Sequence, residues 1–228
     1  AHELLEEITV SPGRALTDYL SSKGMGLLSR QLSRSGIVEL VATTAPGLDD
    51  LLVLGRIKAF ERELRADVII VDGPAAGHAL DLMRAPLQLK RAIGSGPISS
   101  QADEVLAMLS DAHRCKVMMV TTPAMTPVSE TAEAADDIVE SVHVNLTPIV
   151  VNKCEALVPA IDVTHLSADM REAYQYARDK QSAQEDALAV LTDSLELPQL
   201  HLSRHRLNGA ELIEAISGEL STAIAGLS

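Results

Sequence analysis

Residues 67–80, DVIIVDGPAAGHAL, decide how this sequence folds. An apolar run brings Asp72 to the end of a predicted strand, and the small residues that follow predict a loop. Ligands of open α/β sheets bind at the carboxyl ends of the strands. A carboxylate there suits Mg²⁺, held directly or through water, and a glycine-containing loop can move as a switch. An Asp that ends a strand and caps the next turn has the same pattern, so the segment alone leaves both interpretations open.

Similar apolar runs alternate with amphipathic stretches along the rest of the chain. This alternation predicts an α/β fold with a mostly parallel sheet and helices on both faces. The strands are nearly continuous in apolar residues, as a sheet buried on both faces requires. We predict strands at 67–72, 116–122, 146–152 and 199–203. We predict helices at 48–64, 79–92, 100–112, 127–142, 167–193 and 209–226, and a loop at 93–99.

Two helix ends carry specific signals. Pro46 and Gly47 come directly before the helix at 48–64, as a turn that leads into a helix would. Asn208 is suited to cap the last helix, which we expect to bury Ile213, Ile216 and Leu220.

The ends of two predicted strands indicate where a ligand site would lie. Asp72 and Asn152 each end an apolar run, so we expect them at the same edge of the sheet.

Composition and charge limit the kinds of partner. The chain has 228 residues, of which 46% are hydrophobic, and we expect one domain over 1–228. Its net charge of −13 makes nucleic acid and anionic lipid surfaces poor partners. The apolar runs are far shorter than the roughly 20 residues that span a bilayer, which predicts no direct membrane insertion. Two distant cysteines, Cys115 and Cys154, and an opening without a leader pattern predict a cytoplasmic protein.

Four motifs together resemble the arsenite-pump and tail-anchored-protein-targeting ATPase family. DGPAAGH at 72–78 resembles its switch-II signature, and ATTAPGLDDLLVLGRIK at 42–58 resembles its Pro-Gly-Leu-acidic helix. TTPAMTPVSET at 121–131 resembles a strand-to-helix junction of the family, with Ala124 where a Glu is usual. IVVNK at 149–153 resembles a Val-Val-Asn strand end, and 94–105 is most similar to actinobacterial members. The order and spacing of the motifs match over the chain from residue 8 onward.

The resemblance implies roles for the matching residues. Asp72 would be the carboxylate that organises Mg²⁺ and water, and the switch-II loop would respond to the γ-phosphate of ATP. Asn152 would recognise adenine, since a side-chain amide donates to and accepts from a base edge. From spacing alone, a turn-forming amide after a strand is the simpler interpretation of Asn152. The segment 201–206 lies where the family places a loop beside adenine. The implied switch-II residues are Asp72, Gly73, Pro74, Ala75, Ala76, Gly77 and His78.

The 228 residues contain no match to GxxxxGK[ST] or to the family's lysine-rich variant of that phosphate-binding loop. The glycines at 94 and 96 lie after the switch-II segment and are not followed by Lys. The first switch of the family has no match either, so about two βα units, roughly 60 residues, have no counterpart. We therefore expect an N-terminally truncated ATPase with no complete catalytic site, inactive alone. The unpaired neighbouring strands would cost about 1–3 kcal/mol per buried polar group.

Three functions compete at this point. The first is an ATPase that uses ATP and Mg²⁺ in its full-length form and couples dimer switching to an anion or a membrane-protein client. The second is a catalytically dead partner that pairs with an intact paralogous ATPase, so that either a homodimer or a heterodimer is expected. The third is a partitioning protein of the ParA/MinD type, which the motifs at 42–58 and 72–78 fit less well. The short 78–116 region and the lack of a cysteine triad argue against tail-anchored clients and arsenite.

Two other possible sites are rejected. His201 and His205 have the i, i+4 spacing of a metal pair, but that spacing converges only on a helix, and Pro198 with alternating leucines predicts a strand and loop. The methionines are scattered, and Met118 and Met119 fall in a predicted core strand, so core packing explains them better than a binding groove.

Overall fold

The computed structural model describes residues 5–22, 24, 46–64 and 66–227. Residue contacts divide the chain into two compact units, which are described separately. The first unit comprises residues 1–115 and 138–145, and the second comprises 116–137 and 146–228. The single domain expected over 1–228 therefore stays a prediction.

The first unit is helical in its described part. Helix α2 packs against α1, α3 and α4, because its leucines recur at positions that face inward. Leu52 packs with Ala15 and Leu16 of α1, while Leu51 and Leu54 are also buried. The helices are α1 (Pro12–Ser22), α2 (Leu48–Arg62), α3 (Ala76–Ile93) and α4 (Pro97–Leu109).

Gly47 fixes the approach of α2 to α3. Its φ is +77°, in the left-handed region where only glycine is free of strain. A Cβ at this position would lie 3.2 Å from the Cβ of Ala85 in α3. The turn that the sequence predicts at Pro46 and Gly47 is confirmed, and it also sets how closely the two helices pack.

The strand predicted at 67–72 does not form, and this prediction is wrong. Residues 66–75 belong to no helix or strand, and the apolar side chains of Val68 and Ile70 are 73% and 88% exposed. A strand exists only when a neighbour accepts and donates its backbone hydrogen bonds, and no described segment pairs with this one. The apolar run indicates a segment suited to burial, but it does not show which other segment would pair with it.

The second unit contains a parallel sheet of three strands in the order β1-β2-β3. Val120 pairs with Val150, and Val150 pairs with Leu200 in the next strand. The predicted strand at 116–122 is reduced to β1, with an isolated bridge between Val117 and Leu146 before it. The elements are β1 (Val120–Thr121), α5 (Met125–Val142), β2 (Ile149–Cys154), α6 (Ala168–Ser194), β3 (Gln199–Ser203) and α7 (Gly209–Ala225).

Helices cover both faces of this sheet, because successive side chains of β2 point to opposite sides. Ile149 and Val151 pack against α5 and α6 in one cluster, and Val150 packs on the other side with Leu200 of β3. The partners from α5 and α6 are Val128, Ala132, Ala135, Ala187 and Leu191, and those from α7 are Ile216, Leu220 and Ala223. The predicted α/β class and parallel sheet are therefore confirmed.

Three local predictions need correction. Ile213 is 71% exposed, although we expected it inside with Ile216 and Leu220. Ile216, Leu220 and Ala223 form the stripe of α7 that packs on the sheet, and Ile213 lies outside that stripe. Asn208 stands at the N-cap of α7 without a side-chain capping bond. Helix α4 begins at Pro97, so the predicted loop at 93–99 is shorter.

Within the described part of the chain, no helix combines the length and apolar character needed to cross a membrane.

Candidate functional site

The predicted switch-II residues lie in the first unit, at the junction between the unpaired segment and α3. Asp72, Gly73, Pro74 and Ala75 have irregular backbone and are exposed, and α3 begins at Ala76. Gly77 has no atom within 4 Å of the position that a Cβ would occupy. The segment is therefore an open loop that leads into a helix, as its small residues predict.

His78 links this segment to the acidic start of α2. Burial raises the pKa of Asp50, and the negative charges of Asp49 and Asp81 raise it further, whereas His78 acts in the opposite direction. Asp50 and Asp49 belong to the first turn of α2, and His78 and Asp81 belong to the first turns of α3. A charge on His78, a predicted switch residue, thus interacts with the Asp50 carboxyl at the start of the Pro-Gly-Leu-acidic helix.

Asn152 lies in β2, the central strand of the sheet in the second unit. Its Oδ1 accepts the backbone N–H of Lys153 at 2.8 Å. Lys153 has φ +63°, a left-handed conformation that a lysine seldom adopts and that costs roughly 1–3 kcal/mol. The amide therefore supports a strained bulge inside β2, where the pairing with β3 shifts between Val151 and Cys154, and not the turn after a strand that the simpler sequence interpretation expected. Its role toward adenine stays a prediction, as does its placement at one edge with Asp72, which belongs to the first unit.

A cleft of about 350 Å³ opens at the carboxyl ends of the three strands. The turn after β1 contributes Thr122 to Met125, the end of β2 contributes Lys153 and Glu155, and Arg204 follows β3. Helix α6 forms the remaining wall through Lys180, Ala183, Gln184 and Asp186. Parallel strands bring these ends together because all three run in the same direction.

Glu155 is the organising residue of the cleft. Its Oε1 accepts hydrogen bonds from Nζ of Lys180 and from Nε of Arg204, the latter at 2.7 Å. The bond from Lys180 is the main reason why the pKa of the Glu155 carboxyl lies below its usual range, and the Lys180 and Arg204 charges lower it further. The backbone N–H of Glu155 donates to Oε1 of the buried Gln184 at 2.8 Å. The carboxylate is thus held ionised, with a cation on either side.

Sequence reasoning missed this cleft. It identified Asn152 but not Lys153, Glu155, Lys180 or Arg204. A usable signal was present, since a basic residue lies one position before the end of β2, at 153, and another directly follows β3, at 204. Lys180 and Gln184 belong to α6, far from the strand ends in sequence, and no local pattern connects them to Glu155.

The described residues do not by themselves form a metal site. Among them, no group of three or more His, Cys, Asp or Glu side chains could hold a metal ion. Asp72 offers one exposed carboxylate, and Mg²⁺ keeps its waters unless several oxygens are presented together. His201 contacts Gln199 at 3.0 Å, and His205 contacts Glu219 at 3.3 Å, so each histidine has a protein partner. The metal role of Asp72 stays a prediction that requires further oxygens, such as those of a nucleotide phosphate.

Comparison with known proteins gives matches to part of the chain. The model of a family described as "Anion-transporting ATPase" matches residues 20–96. ATPase BagA of Mycobacterium tuberculosis is 30% identical over 149 residues, which cover 61% of this chain and 42% of that protein. A putative arsenical pump-driving ATPase of Halobacterium salinarum is 25% identical over 116 residues, 47% of this chain and 18% of the relative.

ATPase GET3B of Arabidopsis thaliana is 29% identical over 85 residues, 36% of this chain and 21% of the relative. The matched region thus spans less than half the length of each of these three relatives.

Proposed function

We propose, from the premise that this chain is related to the anion-transporting ATPases, that it forms the switch-II and base-binding part of a nucleotide-dependent ATPase. In this proposal ATP drives a rearrangement between two paired chains, and that rearrangement acts on an anion or a membrane-protein client. The relatives are named as ATPases, which supports ATP as the nucleotide. The partner would be a second copy or a paralogous ATPase.

The observation that carries the proposal is the position of Asn152 in the central strand of the parallel sheet. Thr121 ends β1 and Thr122 follows it, Asn152 lies near the end of β2, and Arg204 follows β3, all at the carboxyl edge where such sheets bind ligands. The described residues make one hydrogen bond to the Asn152 side chain, at Oδ1, and leave its amino group to donate to a base.

The chain's own residues would then divide the work. Asn152 would orient the base, and the open loop from Asp72 to Ala75 would respond to the phosphates. His78 would carry that response to Asp50 at the start of α2, because their charges interact. Bound Mg²⁺ would supply charge neutralisation of the phosphates, with Asp72 as a carboxylate beside it.

The test is calorimetric titration of Mg·ATP together with a phosphate-release assay. We expect the 228-residue chain to bind ATP weakly and not to hydrolyse it, because most of the affinity for a triphosphate comes from loop amides and lysine at the phosphates. The same chain extended upstream in its reading frame through a phosphate-binding loop should bind and hydrolyse ATP. Asn152→Ala in that longer chain should weaken ATP binding, while Asn145→Ala, a matched change outside the sheet, should not.

The outcomes separate the candidate functions. Micromolar binding or Asp72-dependent turnover by the 228-residue chain would contradict the proposal that a phosphate-binding loop is needed. A stop codon and a start site directly upstream of Ala1 in the genomic sequence would favour the catalytically dead partner, whose test is co-purification with an intact paralogous ATPase. Turnover stimulated by DNA would favour the partitioning alternative.

A further inference from the structure

The cleft at the carboxyl edge carries positive charge in a strongly acidic chain. Its lining holds three cations and two carboxylates, whereas the whole chain has a net charge of −13. The cations are Lys153, Lys180 and Arg204, and the carboxylates are Glu155 and Asp186. A local excess of cations against the sign of the whole protein favours an anionic ligand at that place.

The cations keep donors that the protein does not use. Arg204 gives its Nε to Glu155, and no other described side chain lies within ion-pair distance of its guanidinium. Lys180 has Glu155 as its acceptor, and among the described residues no acidic partner faces the ammonium of Lys153. Because one carboxylate oxygen serves both Lys180 and Arg204, these two cations are held close together with terminal N–H groups to spare.

The backbone around these cations is already fixed. The buried Gln184 holds the N–H of Glu155, and the buried Gln181 accepts the N–H of Val158 at 2.9 Å. The N–H of Arg204 donates to the carbonyl of Cys154 at 2.8 Å, and Asn152 supports the strained bulge of β2 at Lys153. A site whose backbone is held before binding loses less entropy when a ligand arrives.

We infer that this cleft binds an oxyanion of the phosphate class, as free phosphate or as the phosphoryl group of a larger molecule. Lys153, Lys180 and Arg204 donate charge-assisted hydrogen bonds to its oxygens. Pro123, Ala124, Met125 and Ala183 form an apolar wall, and about 350 Å³ leaves room for a body attached to the phosphate. This inference goes beyond the proposed function, because it concerns the anion and not the base.

The experiment titrates phosphate, AMP and adenosine into the 228-residue chain and follows binding by calorimetry and by amide NMR shifts. We expect phosphate to bind, adenosine to bind more weakly than AMP, and added salt to weaken phosphate binding. Lys153→Gln and Arg204→Gln should each weaken phosphate binding by about tenfold or more, since each removes a charge-assisted bond. Arg171→Gln, on an exposed turn of α6 outside the cleft, is the matched control and should change nothing.

The titrations distinguish free phosphate from a phosphoryl compound, and they distinguish failure of this inference from failure of the proposed function. AMP binding more tightly than phosphate identifies a phosphoryl compound as the ligand, and equal binding identifies free phosphate. The inference is overturned if phosphate fails to bind, if adenosine binds as tightly as AMP, or if both cleft variants bind phosphate as the original chain does. Lys153→Gln breaks no described contact, so it remains informative even if Arg204→Gln unfolds the chain. Failure of ATP binding by the longer chain would concern only the proposed function.

Discussion

Arg114 donates two parallel hydrogen bonds to the carboxylate of Glu61. Its Nε lies 2.9 Å from one carboxylate oxygen, and a terminal nitrogen lies 2.9 Å from the other. Lysine offers a point charge without this fork, so an exchange of Arg for Lys keeps the charge and loses the geometry. The pair joins the end of α2 to the turn that follows α4.

Arg114→Lys should therefore lower the free energy of unfolding by about 0.5 kcal/mol, because partly exposed pairs contribute little. The bond from Arg114 lowers the pKa of Glu61 below its ordinary value of 4.5. The contribution is then complete above that value and is lost as the pH falls through the lowered folded-state pKa. Urea unfolding at pH 7 and pH 3 checks both statements. A loss that is the same at both pH values would contradict the assignment.

Gln184→Ala should cost about 1–3 kcal/mol of unfolding free energy, because it leaves the backbone N–H of Glu155 without its acceptor. The amide of Glu155 should also exchange faster with solvent. Gln175→Ala is the control, since Gln175 lies on an exposed turn of the same helix and its described hydrogen bond goes to the exposed Asp179 at 2.7 Å. Equal effects of the two substitutions would show that helix propensity, rather than the bond to Glu155, explains the loss.

Gly55→Ala should destabilise the first unit despite the better helix propensity of alanine. The new Cβ would lie 2.2 Å from Nε2 of Gln101, so that side chain must move away. Oε1 of Gln101 accepts from the buried Lys58 at 3.0 Å, and this bond would be lost. A hydrogen bond to a charged group is worth about 1.5–3 kcal/mol, against a gain of about 1 kcal/mol from propensity.

Gln101→Ala measured alone and together with Gly55→Ala tests this cause. Once Gln101 has been shortened, the glycine substitution should turn from destabilising to stabilising by about 1 kcal/mol. Thermal unfolding of the original chain, the two single variants and the double variant completes this double-mutant cycle. Additive effects would mean that Gly55 and Gln101 do not interact.

Asp50→Asn should stabilise the chain at pH 7. The pKa of Asp50 is raised from its ordinary value of 3.8, chiefly by burial, so the folded state disfavours the ionised form. That cost is present above the raised pKa and disappears as the pH falls below 3.8, where both states are protonated. Asp81→Asn should lower the pKa of Asp50, and His78→Asn should raise it, as NMR titration of the Asp50 carboxyl would measure. A reversed order would contradict the predicted link between switch II and α2.

Much of the fold follows from the sequence, because local patterns report burial. The strand at 199–203 has the predicted bounds, and Ser167 caps α6 by accepting the N–H of Met170 at 3.3 Å. The family resemblance predicted from four motifs is confirmed by the family model and by relatives that include mycobacterial ATPases. The predictions that failed depend on contacts with residues far away in the sequence. The run at 67–72 is apolar enough for a strand, but pairing depends on residues elsewhere in the chain.

The site shows the same limit. Asn152 could be identified because a motif surrounds it, and its bond to Lys153 follows from adjacency alone. The contacts of Glu155 with Lys180 and Arg204 join residues from three elements, and only the folded sheet brings them together. The exposure of Ile213 depends on which residues of α7 meet the sheet, and periodicity does not report where that contact ends.

The parallel pairing of the three strands has a consequence for how fast the second unit folds. Val120 meets Val150 across 30 residues, and Val150 meets Leu200 across 50. Each pairing must close a long loop before any ladder bond compensates for the lost chain entropy, so contacts of this separation slow the search. The 27-residue helix α6 forms from local bonds alone and lies between the last two strands. Helix α6 should thus form before β2 and β3 pair, so the helix closes most of the distance in sequence between the two strands.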